Sequence, residues 1–391
     1  MIFSLSPRVC PRRSTATGRK QTERGLKNVS QFKITEETAN EYRQPNARLF
    51  YLYGNKKTMS DYTTLRELVE IDSPTGYTEN ACRYIFNLLG SYGHKPEYTN
   101  KGAVRCRLGK EPVLAIAAHV DTLGAIVSGI KKDGTLAFSS LGGLALTSAE
   151  GEYVKIITAS GKEFGGTLLL NNPSAHANNT REMEKRNYDT MHIRIDEEVY
   201  DKKDVQRLGI ATGDFICFEP RYREYKSGFI ESRFMDNKAG CYVLFELARR
   251  LRKKSVPVEL FFSNYEEVGH GGTVGYSDSV RELLVIDMGV LGEACEGNEV
   301  SCSICVKDSS GPYDFNFRKT LTGLAARKKI PFKLDVYPYY GSDGSAALRA
   351  GKDFRVALIG PGVAASHGVE RTHKKGIEAT IDLCLAYIAS L

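Results

Sequence analysis

Apolar residues recur three and four positions apart in "DYTTLRELVEI" and "TENACRYIFNLLGSYG", the spacing of one face of an α-helix. The runs "AVRCRLG" and "PVLAIAAHVD" that follow are of strand length and nearly continuous in apolar character. Such strands alternating with helices predict an α/β fold with a mainly parallel sheet, buried on both faces by flanking helices. Residues 129–227 break this rhythm. Their short strand-like pieces, punctuated by Gly and Asn ("KKDGTL", "SAEGEYVKIITASGKEFGGTLLL", "NYDTMHIRIDEE", "GDFICFEP"), predict an inserted β-rich domain. The α/β pattern resumes with the helix "NKAGCYVLFELARRLRKK", the strands "VPVELFFS" and "ELLVIDMGV", and a last helix "GIEATIDLCLAYIASL". That helix gathers Ile377, Ile381, Cys384, Leu385 and Ile388 on one face. One α/β domain, 59–128 with 228–391, therefore carries an insertion at 129–227.

Composition fits a soluble globular chain: 391 residues, 41% hydrophobic and 26% charged. The net charge of +7 is uneven along it. Residues 1–58 hold 12 Lys+Arg and 4 Asp+Glu, which leaves 42 bases against 43 acids in the body. The basic balance belongs to the leader, so neither a nucleic-acid nor a membrane partner is expected. The leader reads as an organelle transit peptide or as an extension upstream of a start at Met59, and a chain beginning there is expected to fold. No apolar run approaches the ~20 residues of a membrane span. Nine cysteines without regular spacing point to a reducing compartment and a cytoplasmic location. Cys302 and Cys305, three apart on a strand, face opposite sides and read as core residues.

The chemistry lies at the strand ends. "AIAAHVD" finishes in His119 and Asp121, whose i, i+2 spacing lets the carboxylate orient the imidazole. "FMDNKAG" places Asp236 before a helix, where it reads as an N-cap or a ligand. "NYEEVG" supplies Glu266 and Glu267, "VIDMG" supplies Asp287, and "ASHGVERTH" supplies His367 and His373. Open α/β sheets bind ligands beyond the carboxyl ends of their strands. Adjacent glutamates at the end of a buried strand are costly unless a cation meets them. Two divalent ions would supply that charge, with zinc the best match to His and carboxylate donors and cobalt or manganese as substitutes.

In the order "AHVDTLG", "FMDNKAG", "EEVGHGG", "VIDMG", "VKDSSGPYD", "YGSDGSAAL" and "ASHGVERTH", residues 59–391 resemble the M42 metallo-aminopeptidases, which include glutamyl aminopeptidases and the TET peptidases. The resemblance implies a zinc-dependent exopeptidase-like fold with an inserted β-barrel, PDZ-like domain that serves dimerisation or assembly. It makes Asp236 the shared ligand of two metals, with His119 and Asp287 on one and Glu267 and His367 on the other. Glu266 becomes the general base for a hydroxide held between the ions, with Asp121 as a further catalytic residue. It implies N-terminal cleavage of peptides by a homo-oligomer, with a dodecamer as one form. A glutamate common in the family is replaced by Thr122. The rival readings are a related two-metal deacylase or carboxypeptidase and an inactive assembly protein. The intact Glu266 argues against the last.

Overall fold

The computed structural model describes residues 61–391, so the expectation for residues 1–58 lies outside the described residues. Helices form where the spacing predicts them, at Thr63–Glu70, Glu79–Ser91 and Met235–Leu251. All three contribute to one apolar cluster on a single face of a ten-stranded mixed sheet. Its centre is parallel: Leu114–His119 runs between Val258–Ser263 and Glu282–Ile286, and Arg355–Val363 follows beyond Glu282–Ile286. Every residue of Leu114–His119 and Val258–Ser263 is buried, as both-faced coverage requires. Each buried Leu or Ile there contributes roughly 1.5–3 kcal/mol.

One face of the sheet packs on Met235–Leu251 and on Lys374–Ile388, whose Ile377, Ile381, Cys384 and Ile388 are buried while Leu385 is half-buried. The other face holds a second apolar cluster that includes Tyr276, Tyr313, Tyr337 and Ala347. Cys302 lies in the first cluster and Cys305 in the second, on opposite sides of their strand. The register pairs Ser263 with His119, and Ile286 with Ile359. The parallel strands therefore end together, and the loops that leave them emerge at one edge.

A closed six-stranded barrel stands apart from the sheet, in the spatial order Gly124–Ile130, Leu136–Leu141, Met191–Ile195, Glu163–Leu170, Tyr153–Ile157, Phe215–Phe218. Its interior is apolar, with Val127, Phe138, Ile156, Leu168, Ile193 and Ile216 all buried. The barrel strands start before residue 129, because "GAIVSGI" already alternates inward Ala125 and Val127 with outward positions. They also stop before 227. Arg223–Glu224 and Phe229–Ser232 instead form a small sheet with Glu370–His373 of the α/β part. Among the described residues no helix is long and apolar enough to cross a membrane, and all eight cysteines are free.

Candidate metal centre

His119 closes its strand with a buried ring. Its Nδ1–H donates to the main-chain carbonyl of Asp121 at 2.9 Å, which leaves Nε2 facing Asp236 Oδ1 at 3.1 Å. His367 has the same arrangement from the opposite side. Its Nδ1–H donates to the Gly143 carbonyl at 2.9 Å, and its Nε2 lies 3.5 Å from Asp236 Oδ2. The two oxygens of Asp236 thus face two different histidines. Glu266 Oε2 and Asp287 Oδ1 lie 3.8 and 3.9 Å from His119 Nε2, and Glu267 Oε2 lies 3.8 Å from His367 Nε2. All the expected ligands and Glu266 are brought to one place, divided between two histidine-centred halves.

Local backbone explains how adjacent glutamates reach opposite halves. After Ser263 the chain leaves the strand, and Glu266–Val268 forms a single tight helical turn between left-handed Tyr265 (φ 68°) and Gly269 (φ 78°). Their side chains diverge: Glu267 is 4% exposed and Glu266 16%. Asp236 makes no cap hydrogen bond, and its φ/ψ of −76°/101° lies outside the helix that follows. The N-cap reading fails because this carboxylate is turned toward the imidazoles. His373 does cap a helix: its Nδ1 accepts from the Lys375 N–H and its Nε2–H donates to the Ser227 carbonyl, so it is absent from the site.

Asp121 departs from expectation in one respect. Its main-chain carbonyl, rather than its carboxylate, holds His119, since the strand ends at His119 and the carboxylate Oδ1 stays 3.6 Å from the ring. The carboxylate instead accepts from Thr75 Oγ1 at 2.6 Å and from the N–H groups of Glu266 and Glu267 at 3.2 and 3.3 Å. It therefore holds the glutamate turn.

Three further residues join the site to which the sequence assigned no role in it. Glu370, buried, accepts from the N–H groups of Asp236 at 2.9 Å and His367 at 3.0 Å and so ties Asp236 to the second histidine. Asp343 accepts from Ser263 Oγ, while its Oδ1 lies against Gly271, where a Cβ would strike both that oxygen and Glu266. Asp343 is the first residue of its helix, whose cap is Ser342. The buried Tyr340 hydroxyl lies beside Asp287, in the field of Asp287, Asp236 and Glu266.

Electrostatics test whether these residues suit cations. Burial pushes the proton affinities of Glu266 and Glu267 well above the usual carboxylate range and those of Asp287 and Glu370 up to about 7 and about 8, with neighbouring carboxylates adding to the effect. Hydrogen bonding to Asp236 raises His367 to about 9. Burial alone would lower His119, but Asp121, Asp236, Glu266 and Asp287 together raise it well above an ordinary imidazole. Burial likewise works against ionised Asp236, and the two imidazoles outweigh it and hold its carboxyl below the usual range. Glu267 Oε1 is buried without a partner. Donor atoms of His119, Asp236 and Glu267 all lie within 4.8 Å of one another. A set of mostly buried acids and imidazoles in which every group but Asp236 is pushed toward its protonated form, with an orphaned oxygen among them, fits divalent metal.

A family model described as M42 glutamyl aminopeptidase matches residues 102–383. The chain belongs to the M42 peptidase family. These are metal-dependent hydrolases of peptide bonds. YhfE of Bacillus subtilis, provisionally named an aminopeptidase, is 42% identical over 342 residues, covering 86% of this M42 chain and 98% of that protein. The TET aminopeptidase of Thaumarchaeota archaeon SCGC AB-539-E09 shares the fold with a TM-score of 0.76 at 21% identity, over 84% of this chain and 96% of that one. The TET1 peptidase of Pyrococcus horikoshii does so at 0.75 and 20%, over 83% and 98%.

Proposed function

We propose that this M42 peptidase removes N-terminal residues from peptides with two divalent ions, zinc in the first instance with cobalt or manganese as substitutes. His119 and Asp287 would hold one, Glu267 and His367 the other, and Asp236 would be shared. The observation that supports this reading is the division of the Asp236 oxygens between two histidines, 3.1 and 3.5 Å away. Bound there, the ions would polarise the scissile carbonyl and lower the pKa of the attacking water.

Glu266, the more exposed of the two glutamates, accepts the proton of that water as its oxygen bonds to the carbonyl carbon. It returns the proton to the departing nitrogen as the C–N bond breaks. Asp121 keeps Glu266 in reach by accepting its N–H, and Gly271 lets the turn lie close against Asp343. The test is a panel of one peptide with a free amine, an acetylated N-terminus or a C-terminal reporter. Only the free-amine form should lose residues, from its N-terminus. Release from the acetylated form or from the C-terminus would instead support the deacylase or carboxypeptidase reading.

We also propose a homo-oligomer, with a dodecamer as one form, assembled through the barrel domain, since the Pyrococcus horikoshii relative is described as forming a tetrahedron or an octahedral shell. Light scattering should return a mass several times the 43.3 kDa of one chain. A monomer with full activity would contradict this. Free cysteines suit a reducing, cytoplasmic setting.

A further inference from the structure

The second histidine is not held by the α/β part alone. His367 has a left-handed backbone (φ 61°), a conformation disfavoured for a residue with a Cβ and retained only where neighbours impose it. Its ring is held by the carbonyl of Gly143, in the loop that leaves barrel strand Leu136–Leu141. A carbonyl can only accept, so this bond places the hydrogen on Nδ1 and leaves Nε2 open toward Asp236 and Glu267. Ser148, in the short helix Leu146–Ala149 into which that loop runs, donates from Oγ to the His367 carbonyl at 3.4 Å.

What keeps that loop in place is Arg233, only 2% exposed. Its guanidinium donates to the Ser148 carbonyl at 2.6 Å and to the Gly368 carbonyl at 3.3 Å, and it lies 3.3 Å from Glu152 Oε1. One rigid, always-charged fork thus joins the barrel loop, a barrel carboxylate and the turn that carries His367. Glu152 also pairs with Arg221 at 2.6 Å, so it does not depend on Arg233 alone for its charge partner.

We propose that Arg233 is a positioning residue for His367: it pins the barrel loop against the His367 turn so that the Gly143 carbonyl can fix the imidazole. The barrel then contributes to the metal centre as well as to any assembly. This rests on the reading of His367 as a ligand, and outer partners of metal-binding histidines characteristically set the ring orientation in this way.

The test uses the full chain, stripped of metal and titrated with zinc against a chromophoric chelator. Arg233→Met keeps much of the stem and removes every donor. Gly143→Ala reaches the same ring without touching the buried fork, since a Cβ there would sit 3.0 Å from His367 Nδ1. The wild type should bind two equivalents. In each variant one equivalent should weaken by roughly 10–100-fold while the other is unchanged. Arg233→Lys should recover part of the loss. If Arg233→Met fails to fold, Arg233→Lys decides, since it keeps the charge but loses the fork that bonds both the Ser148 and Gly368 carbonyls and should still weaken one equivalent alone. Two equivalents bound as tightly by the variants as by the wild type would overturn the proposal and leave the two-metal reading standing, as would equal weakening of both equivalents. A wild type that binds fewer than two would overturn both.

Discussion

Glu266→Gln is expected to lower kcat by a factor on the order of 10²–10⁴ without loss of metal. The amide keeps the size of the side chain and leaves its backbone bond to Asp121 intact, but it cannot accept the water's proton. Glu267→Gln should behave differently. Its carboxylate is the deeper of the two, faces His367 and carries an orphaned oxygen, so the neutral amide should cost one metal before it costs chemistry. Elemental analysis beside peptidase rates on identically prepared protein distinguishes the two. Loss of metal from Glu266→Gln with retention in Glu267→Gln would reverse the assignment of the pair.

Asp236→Asn is expected to strip both metals. Each Asp236 oxygen faces its own histidine, so removal of its charge affects both halves, unlike a change at Asp287 or Glu267. Each dissociation constant should rise on the order of 10²-fold or more, above the roughly 10–100-fold cost of altering an outer-shell partner. Competition with a chelator gives both constants, and peptidase activity should fall in parallel. Weakening of one ion alone would mean that Asp236 belongs to a single site.

The halves of this centre were unequally legible in the sequence. His119, Glu266, Glu267 and Asp287 follow buried apolar runs, so their placement at one edge follows from how parallel sheets end. Asp236 was ambiguous because an acid before a helix serves equally as a cap, and only the fold brings two imidazoles to it. The choice of His367 over His373 became geometric once His373 was found to cap Lys374–Ile388. Asp343, Arg233 and the bond of Glu370 to Asp236 act through long-range contacts that no local spacing encodes. The carbonyls of Asp121 and Gly143 leave no trace in residue identity at all. A β-rich insertion was foreseeable from its turn-rich strands, whereas its edges were not: the barrel strand Gly124–Ile130 follows closely on Leu114–His119, and Arg223–Glu224 pairs with Phe229–Ser232 of the α/β part.

The central claim, a peptidase that works with two ions at one shared carboxylate, is tested most directly by titrating metal-stripped protein with zinc while following release of the N-terminal residue from a free-amine peptide. The rate should be negligible without metal and should reach its plateau at two equivalents per chain. Full activity in the stripped protein, or a plateau at one equivalent, would contradict it.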